Sequence, residues 1–140
     1  MLEVLVFSKR IVGKTMEGAV GKAPATRQNK EAHCSLSQRQ AAKPVPAPSL
    51  SALQKLLWDK VGIIRGQEGL AETVDTLAAW HECLLQPTDR PSYELSNLVL
   101  TGRLVAEAAL MREESRGAHF RDDFPRSLSQ WQRHIVFTRG

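Results

Sequence analysis

Apolar residues recur every three or four positions through most of the second half of the chain, which is the spacing of one helix face. Such stretches cover about 51–64, 67–86 and 93–116, and short connections separate them. The helical spacing predicts an all-α fold. Because the connections are short, we expect neighbouring helices to be antiparallel. We expect a three-helix, spectrin-repeat-like bundle in an up-down-up order.

Each predicted helix has one apolar face that we expect to point into the core. Gly62 and Gly102 fall inside these helices, where glycine costs about 1 kcal/mol relative to alanine. A close approach between helices would compensate for that cost. The predicted faces are Leu53, Leu57, Val61 and Ile64; Leu70, Val74, Leu77 and Leu84; and Leu95, Leu98, Gly102, Val105 and Ala109.

Local signals predict where the helices begin and end. The stretch 51–54 reads Ser-Ala-Leu-Gln, which has the form of a capping box at the start of the first helix. Pro87 and Pro91 are expected to stop the second helix and turn the chain. Gly117 follows the third stretch and is expected to be its left-handed C-terminal cap.

The first third of the chain has a different composition. No aromatic residue lies between Phe7 and Trp58, and four of the seven prolines fall in this interval. Such a segment buries too little apolar surface to offset the entropy of ordering it. We therefore predict a flexible, disordered linker over 13–48 and a folded domain over 49–140. The preceding segment, 1–12, is apolar, and periodicity does not decide between a strand and a buried helix.

The charge of the chain excludes little about its partners until it is located. Residues 13–48 carry six bases and two acids, whereas 49–140 carry eleven bases and twelve acids. The net charge of +4 therefore comes from the predicted linker. Basic residues without aromatic neighbours lack the stacking surfaces of nucleic-acid binders, so we expect no nucleic-acid partner.

Two further classes of protein are excluded by the sequence. The longest apolar runs are far shorter than the roughly 20 residues that cross a bilayer, so we expect no membrane partner. No secretory leader is recognisable, and two cysteines cannot form a disulfide framework. A reducing compartment, and hence the cytoplasm, is the expected location.

Candidate catalytic and metal sites are weak. Residues two apart on a helix differ by about 200° around its axis, so His81 and Cys83 cannot converge on one ion. We therefore expect no metal site, with Cys83 buried and His81 partly exposed.

Nucleophilic sites are equally poor, because no strand–turn–helix elbow holds a serine and no packed shell surrounds a cysteine. The sets considered are Cys34 with His33, and Ser115 with His119 and Asp122.

One charged stretch, 112–125, has an unusual placement. Glu113 and Glu114 stand at a predicted helix C-terminus, where the helix dipole disfavours acids. Ion pairs with Arg116 or Arg121 would explain them. Because phenylalanines accompany the charges, we favour a docking surface over a solvated charged face.

The same stretch carries a resemblance to a known family. Glu114-Ser-Arg-Gly-Ala-His-Phe-Arg-Asp-Asp-Phe-Pro125 resembles the C-terminal signature of the succinate dehydrogenase, fumarate reductase and L-aspartate oxidase flavoproteins. Upstream, Trp58-x-x-Val61-Gly62-Ile63-x-Arg65 is similar to the L-aspartate oxidase branch, as are Leu95-Ser-Asn-Leu98 and Trp131-Gln-Arg-His-Ile-Val136. Leu2 and Glu3 resemble the last two residues of a family stretch that opens a helix beside the flavin.

The resemblance implies a parent enzyme that oxidises L-aspartate to iminosuccinate with FAD, for quinolinate and NAD synthesis. It also implies that the catalytic and FAD-binding residues precede this chain, which alone would be inactive, and that 1–12 is a remnant of a flavin-domain helix prone to self-association. A succinate dehydrogenase or fumarate reductase parent and a stand-alone helical interaction module remain alternatives. The residues expected to dock on the flavin-binding domain, with Arg116 as anchor, are Glu114, Ser115, Arg116, Gly117, His119, Arg121, Asp123, Phe124 and Pro125.

Overall fold

Three helices make up most of the structure, a computed structural model that describes residues 31–36 and 45–138. They are α1 (Leu50–Val61), α2 (Gln67–Cys83) and α3 (Arg90–Met111), and each contacts the other two. The prediction of a mainly helical fold with three helices is confirmed. Their up-down-up order stays a prediction.

The helix starts differ from the predicted ones in detail. α1 is capped by Ser49, whose side chain accepts a hydrogen bond from the Ala52 N–H at 3.2 Å, so the predicted cap at Ser51 is wrong. α3 begins with a capping box between Asp89 and Ser92. Pro91 lies within the first turn of α3, where a missing N–H costs nothing, and so it begins this helix rather than ending α2.

The end of α3 is also earlier than predicted. The helix stops at Met111, and Arg112 is its C-terminal cap residue. Gly117 has a φ of +58°, as expected, but it lies in a separate turn in which Arg116 and His119 exchange backbone hydrogen bonds. Residues 112–116 therefore leave the helix, because the side chains described below hold them in an irregular path.

The core lies between the three helices. The face predicted for α2 is confirmed by Leu70, Val74 and Leu77, which are fully buried. On α3 the predicted face is only partly correct, since Gly102 and Ala109 are buried and Leu95 packs against the core, whereas Leu98 and Val105 are 46% and 48% exposed. The buried core cluster is Leu53, Val61, Leu70, Val74, Leu77, Trp80, Val99, Ala106 and Ala109.

A buried ion pair explains why Leu98 and Val105, on the predicted face of α3, do not point into the core. Arg103 and Glu107 lie on its inner side, where Arg103 Nε donates to Glu107 Oε1 at 2.9 Å. These charged residues break the apolar pattern that periodicity follows. The helix consequently presents Val99 and Ala106 to the core. Ile64, predicted on the buried face of α1, lies beyond that helix and is 67% exposed.

Gly102 allows α3 to approach its neighbours closely. A Cβ atom at this position would lie 3.3 Å from Leu57 Cδ1 and 3.6 Å from Leu77 Cδ1. The close approach expected here is therefore confirmed. Gly62 differs from expectation, because it is the C-terminal cap of α1 rather than an interior residue.

Four short strands connect distant parts of the chain in two parallel pairs. β1 (Glu31–Cys34) pairs with β4 (His134–Phe137), and β2 (Ile64–Arg65) pairs with β3 (Phe120–Arg121). β1 lies within the segment predicted as a linker. Its ordering depends on a partner about a hundred residues away, which local composition cannot report.

The chain just before α1 also contacts the core. Val45 packs against the core cluster, and Trp80 Nε1 donates to the Pro46 carbonyl at 2.7 Å. The predictions for 1–12 and for most of 13–48 lie outside the described residues. Within 31–36 and 45–138, no helix is both long enough and apolar enough to cross a membrane.

Replacing Gly102 with leucine should destabilise the domain. The added side chain meets Leu57 and Leu77 at once, and overpacking of this kind costs about 2 kcal/mol. Thr101→Leu, at the exposed neighbouring position, should change stability by less than about 0.5 kcal/mol. Urea unfolding of both variants measures the difference. Equal stabilities would show that the helices at Gly102 can move apart freely.

Candidate functional site

The segment after α3 is organised around a buried carboxylate. Glu114 has no solvent exposure, and both of its oxygens are hydrogen-bonded. Arg116 binds it with two nitrogens, at 2.9 Å and 3.0 Å, while Arg112 donates at 2.8 Å. The Leu128 N–H adds a fourth donor at 2.8 Å. Glu114 thereby fixes the path of the chain on both sides of the turn at Gly117.

A buried guanidinium lies at the other end of the same segment. Arg121 is fully buried, and its Nε and Nη2 bind Asp123 as a fork. Its Nη1 donates to the carbonyls of Ala109 and Leu110 at 3.0 Å each. These carbonyls belong to the last turn of α3, which has no intrahelical donors for them. Arg121 therefore closes the C-terminal end of α3.

The signature also caps the start of α2. Asp123 Oδ2 accepts a hydrogen bond from the Gln67 N–H at 2.9 Å, while the Gln67 side chain accepts one from Arg121. The N-cap residue itself, Gly66, offers no side chain. A Cβ on Gly66 would lie 2.9 Å from Asp122 Oδ1, so glycine leaves room for the approaching segment. Two helix ends are thus held by one short stretch.

Ser115 is a structural residue in this arrangement rather than a nucleophile. Its hydroxyl donates to the Phe124 carbonyl at 2.8 Å and accepts from the Arg121 N–H at 2.9 Å. His119 makes its bonds elsewhere, to Arg65 and Arg112. The geometry provides no serine–histidine hydrogen bond of the kind that activates a nucleophile.

His119 is held in its neutral form. Its Nε2 donates to the Arg112 carbonyl at 3.1 Å, and its Nδ1 accepts from Arg65 Nη1 at 2.9 Å. A protonated ring could not accept the second bond. Burial, together with the surrounding arginines, lowers the pKa of His119. The ring links β2 to the segment that follows α3.

The expected role of Arg116 as an anchor to another domain stays a prediction, and the side chain also has partners within this chain. Its Nε and Nη2 are taken up by Glu114, and Nη2 also donates to the Leu128 carbonyl at 3.1 Å. Glu114 and the Leu128 carbonyl thus occupy two of the three guanidinium nitrogens of Arg116. The ion pair expected between Glu114 and Arg116 is present within this chain.

Other candidate residues are not brought together. Within residues 31–36 and 45–138, no group of three or more histidine, cysteine or acidic side chains has the geometry to hold a metal ion. Cys83 is exposed, whereas burial was expected, because it occupies the last position of α2. Sequence reasoning missed Gln67 and the Arg103–Glu107 pair. The i,i+4 spacing of that pair was its only sequence signal.

Removing the charge of Glu114 should destabilise the chain strongly. In Glu114→Gln, two arginines lose a buried partner, and breaking such a group costs about 3 kcal/mol. Glu113→Gln is the matched control, because Glu113 is the exposed neighbour and should change stability by less than about 0.5 kcal/mol. Thermal and urea unfolding compare the two. Similar effects of both changes would contradict the assigned role of Glu114.

The stability contributed by Glu114 should also depend on pH. Its hydrogen bonds from Arg116 lower the pKa of Glu114 from 4.5 to about 2. Because the folded pKa is below the unfolded one, this stabilisation is complete above about pH 4.5 and is lost as the pH falls towards 2. Urea midpoints measured across this window should fall less steeply in Glu114→Gln than in the native chain. Parallel pH profiles would contradict the prediction.

A comparison with known protein families finds one that matches most of this chain. A family model described as the fumarate reductase flavoprotein C-terminal region matches residues 50–140. This range contains the three helices and the signature.

Several characterised relatives are similar to the chain. The L-aspartate oxidase of Bacillus subtilis is 35% identical over 146 residues, which cover 99% of this chain and 25% of the relative. The L-aspartate oxidase of Rhodospirillum rubrum is 36% identical over 89% of this chain and 41% of its own length. A subunit of the fumarate reductase (CoM/CoB) of Methanothermobacter marburgensis is 32% identical over 67% of this chain and 19% of its own length.

The chain therefore spans well under half the length of these curated relatives. Their similarity agrees with the match of the family model to most of the sequence. The chain belongs to the family of fumarate reductase flavoprotein C-terminal domains, and L-aspartate oxidases are among its relatives.

Proposed function

We propose that this chain serves as the C-terminal domain of an FAD-dependent L-aspartate oxidase and supports the flavin-binding part by docking on it. The proposal rests on similarity to L-aspartate oxidases over 99% and 89% of the chain. In this assembly the reaction, from L-aspartate to iminosuccinate, takes place in the flavin-binding part. The present chain contributes a rigid surface rather than reacting groups.

One exposed apolar surface carries the docking proposal. Trp58 and Ile63 are each 84% exposed, and Ile64 is 67% exposed. Phe120 pairs with Ile64 in the β2–β3 ladder and is 41% exposed. We call these four residues the corner surface, because they lie where α1 ends and β2 meets β3. Large apolar side chains grouped in this way are typical of interaction sites.

The flavin-binding part is the occupant that best fits the corner surface. The matched relatives are two to six times longer than the stretch they share with this chain, so most of each enzyme lies elsewhere. Trp58 and Ile63 also belong to the motif that resembles L-aspartate oxidases, although neither contributes to the core. A solvent-facing role gives these two side chains a function that packing within the domain does not.

Hydrogen bonds of the charged signature hold the β2–β3 part of the corner surface in place. Ser115 and Arg121 hold β3 in place, and Asp122 donates its N–H to the Arg65 carbonyl of β2 at 3.0 Å. Phe120 is thereby fixed beside Ile64. The signature thus acts in docking mainly as the frame of the corner surface.

The described residues do not fit an FAD site of their own. FAD binding of the dinucleotide type places a pyrophosphate at a helix N-terminus. Here Ser49 caps α1, Asp89 caps α3, and Asp123 bonds to the first N–H of α2, so side chains of this chain already occupy the N-termini of all three described helices. The FAD of the proposed enzyme consequently binds in the flavin-binding part, and the purified chain should be colourless.

A fumarate reductase parent is the second candidate, favoured by the family description and by the methanogen subunit that is 32% identical. Assaying the full protein separates the two, since one oxidises L-aspartate and the other reduces fumarate.

A stand-alone interaction module is tested by reading the DNA upstream of the coding region. A flavin domain encoded there supports the proposal, and unrelated sequence contradicts it.

Docking can be tested in a chimera in which this chain replaces the matching quarter of the Bacillus subtilis enzyme. Ile63→Asp should lower both the melting temperature and the flavin content of the chimera, because a carboxylate would be buried at the interface. The matched control is Leu85→Asp, which changes another exposed apolar residue away from the corner surface. It should leave both quantities unchanged.

The same variants in the isolated chain distinguish docking from folding. Ile63 is 84% exposed there, so Ile63→Asp should leave the stability of the isolated chain within about 0.5 kcal/mol of the original. A large loss in the isolated chain would assign Ile63 to the fold. Equal behaviour of the two chimera variants would contradict docking through the corner surface.

A further inference from the structure

A cationic cavity lies on the side of the signature that faces β4. Its volume is about 410 Å³, and its lining includes Arg112, Arg116, Arg133, His119 and Trp131. The size is within the range of small-molecule sites. None of the four corner-surface residues lines this cavity, so it is separate from the proposed docking surface.

Several donors of the residues that line this cavity have no acceptor in the described part of the chain. The indole Nε1 of Trp131 and the Nε of Arg133 are both buried without a hydrogen-bond partner, and Trp131 is only 9% exposed. Nothing in the described part of the chain accepts a hydrogen bond from Arg133 through its side chain, or from Arg116 through Nη1. Buried donors left unpaired cost about 1–3 kcal/mol each, and native proteins usually pair them.

The charge of the cavity points to the missing acceptor. Glu114 is the carboxylate that neutralises Arg112 and Arg116, and it forms ion pairs with both. Among the described residues, Arg133 has no ion pair; its guanidinium instead stacks on the Trp131 ring, 4.8 Å from the centroid. The cavity is therefore lined by three arginines, and the one carboxylate bound to them pairs with only two. This leaves an excess positive charge, to which an anion with several acceptor oxygens is complementary.

We propose that this cavity binds a small, doubly charged oxyanion, with Arg133 as the principal charge partner and the Trp131 ring as the support that positions it. Planar guanidinium groups bind phosphate and carboxylate oxygens alike, so the shared chemistry is that of an oxyanion. Stacking on Trp131 holds the Arg133 fork at the cavity wall. The site would connect the tail at β4 to the segment after α3, since Arg112 already donates to the Arg133 carbonyl at 2.8 Å.

The indole signals of the chain give a direct test with inorganic phosphate and with malonate as probes. Trp131 should show a saturable shift of its indole N–H resonance in ¹⁵N-correlated spectra, assigned with Trp131→Phe. Trp80 already donates to Pro46, and Trp58 is exposed, so their indole signals should not move. Sodium chloride at equal ionic strength is the control for general salt effects. The probe that binds more tightly identifies the phosphate or carboxylate source.

Variants of equal charge change make the test specific. Arg133→Gln should weaken binding about tenfold, the loss expected when one charge-assisted contact is removed. Arg126→Gln is the control, because Arg126 is exposed on the same segment and lines a different cavity. If Arg133→Gln disturbs the fold, Arg133→Lys keeps the charge without the fork and should give an intermediate affinity. Equal shifts with chloride, or unchanged affinity in both Arg133 variants, would overturn the proposal.

Discussion

The structure depends on the need to satisfy two charged groups that have no contact with water. A buried carboxylate or guanidinium is very costly unless hydrogen bonds and opposite charge surround it. Glu114 and Arg121 meet this requirement with partners drawn from four separate parts of the chain. The path of the chain after α3 is the path that brings these partners within hydrogen-bond distance.

This requirement also explains how a small domain with few aromatics keeps a fixed shape. The apolar core lies between the helices, but the helix ends are fastened by the charged segment, which closes α3 through Arg121 and caps α2 through Asp123. A side chain that caps a helix from a distant position couples the local helix to the tertiary fold. The same charged segment positions the corner surface and contributes Arg112, Arg116 and His119 to the lining of the cationic cavity.

The sequence predicted the three helices because their apolar periodicity is long and consistent, as at Leu70, Val74 and Leu77 on α2. It predicted the buried side of α3 only in part, since Arg103 and Glu107 look like surface residues until their mutual hydrogen bond is seen. The signature was recognised from its residues, and its ion pair between Glu114 and Arg116 was expected, but the partners from outside the signature were not. Which donors reach Glu114 depends on the three-dimensional path of residues 112–128, and no local pattern encodes that path.

The pairing of β1 with β4 has a kinetic consequence. These strands are joined by about a hundred residues of intervening chain, so bringing them together costs more loop-closure entropy than any contact between successive helices. Contacts of such long range form late during folding and slow it. They also open first, because the two strands are short and only partly buried. The domain can therefore release both strands in a brief local opening while its helices and buried charges stay in place.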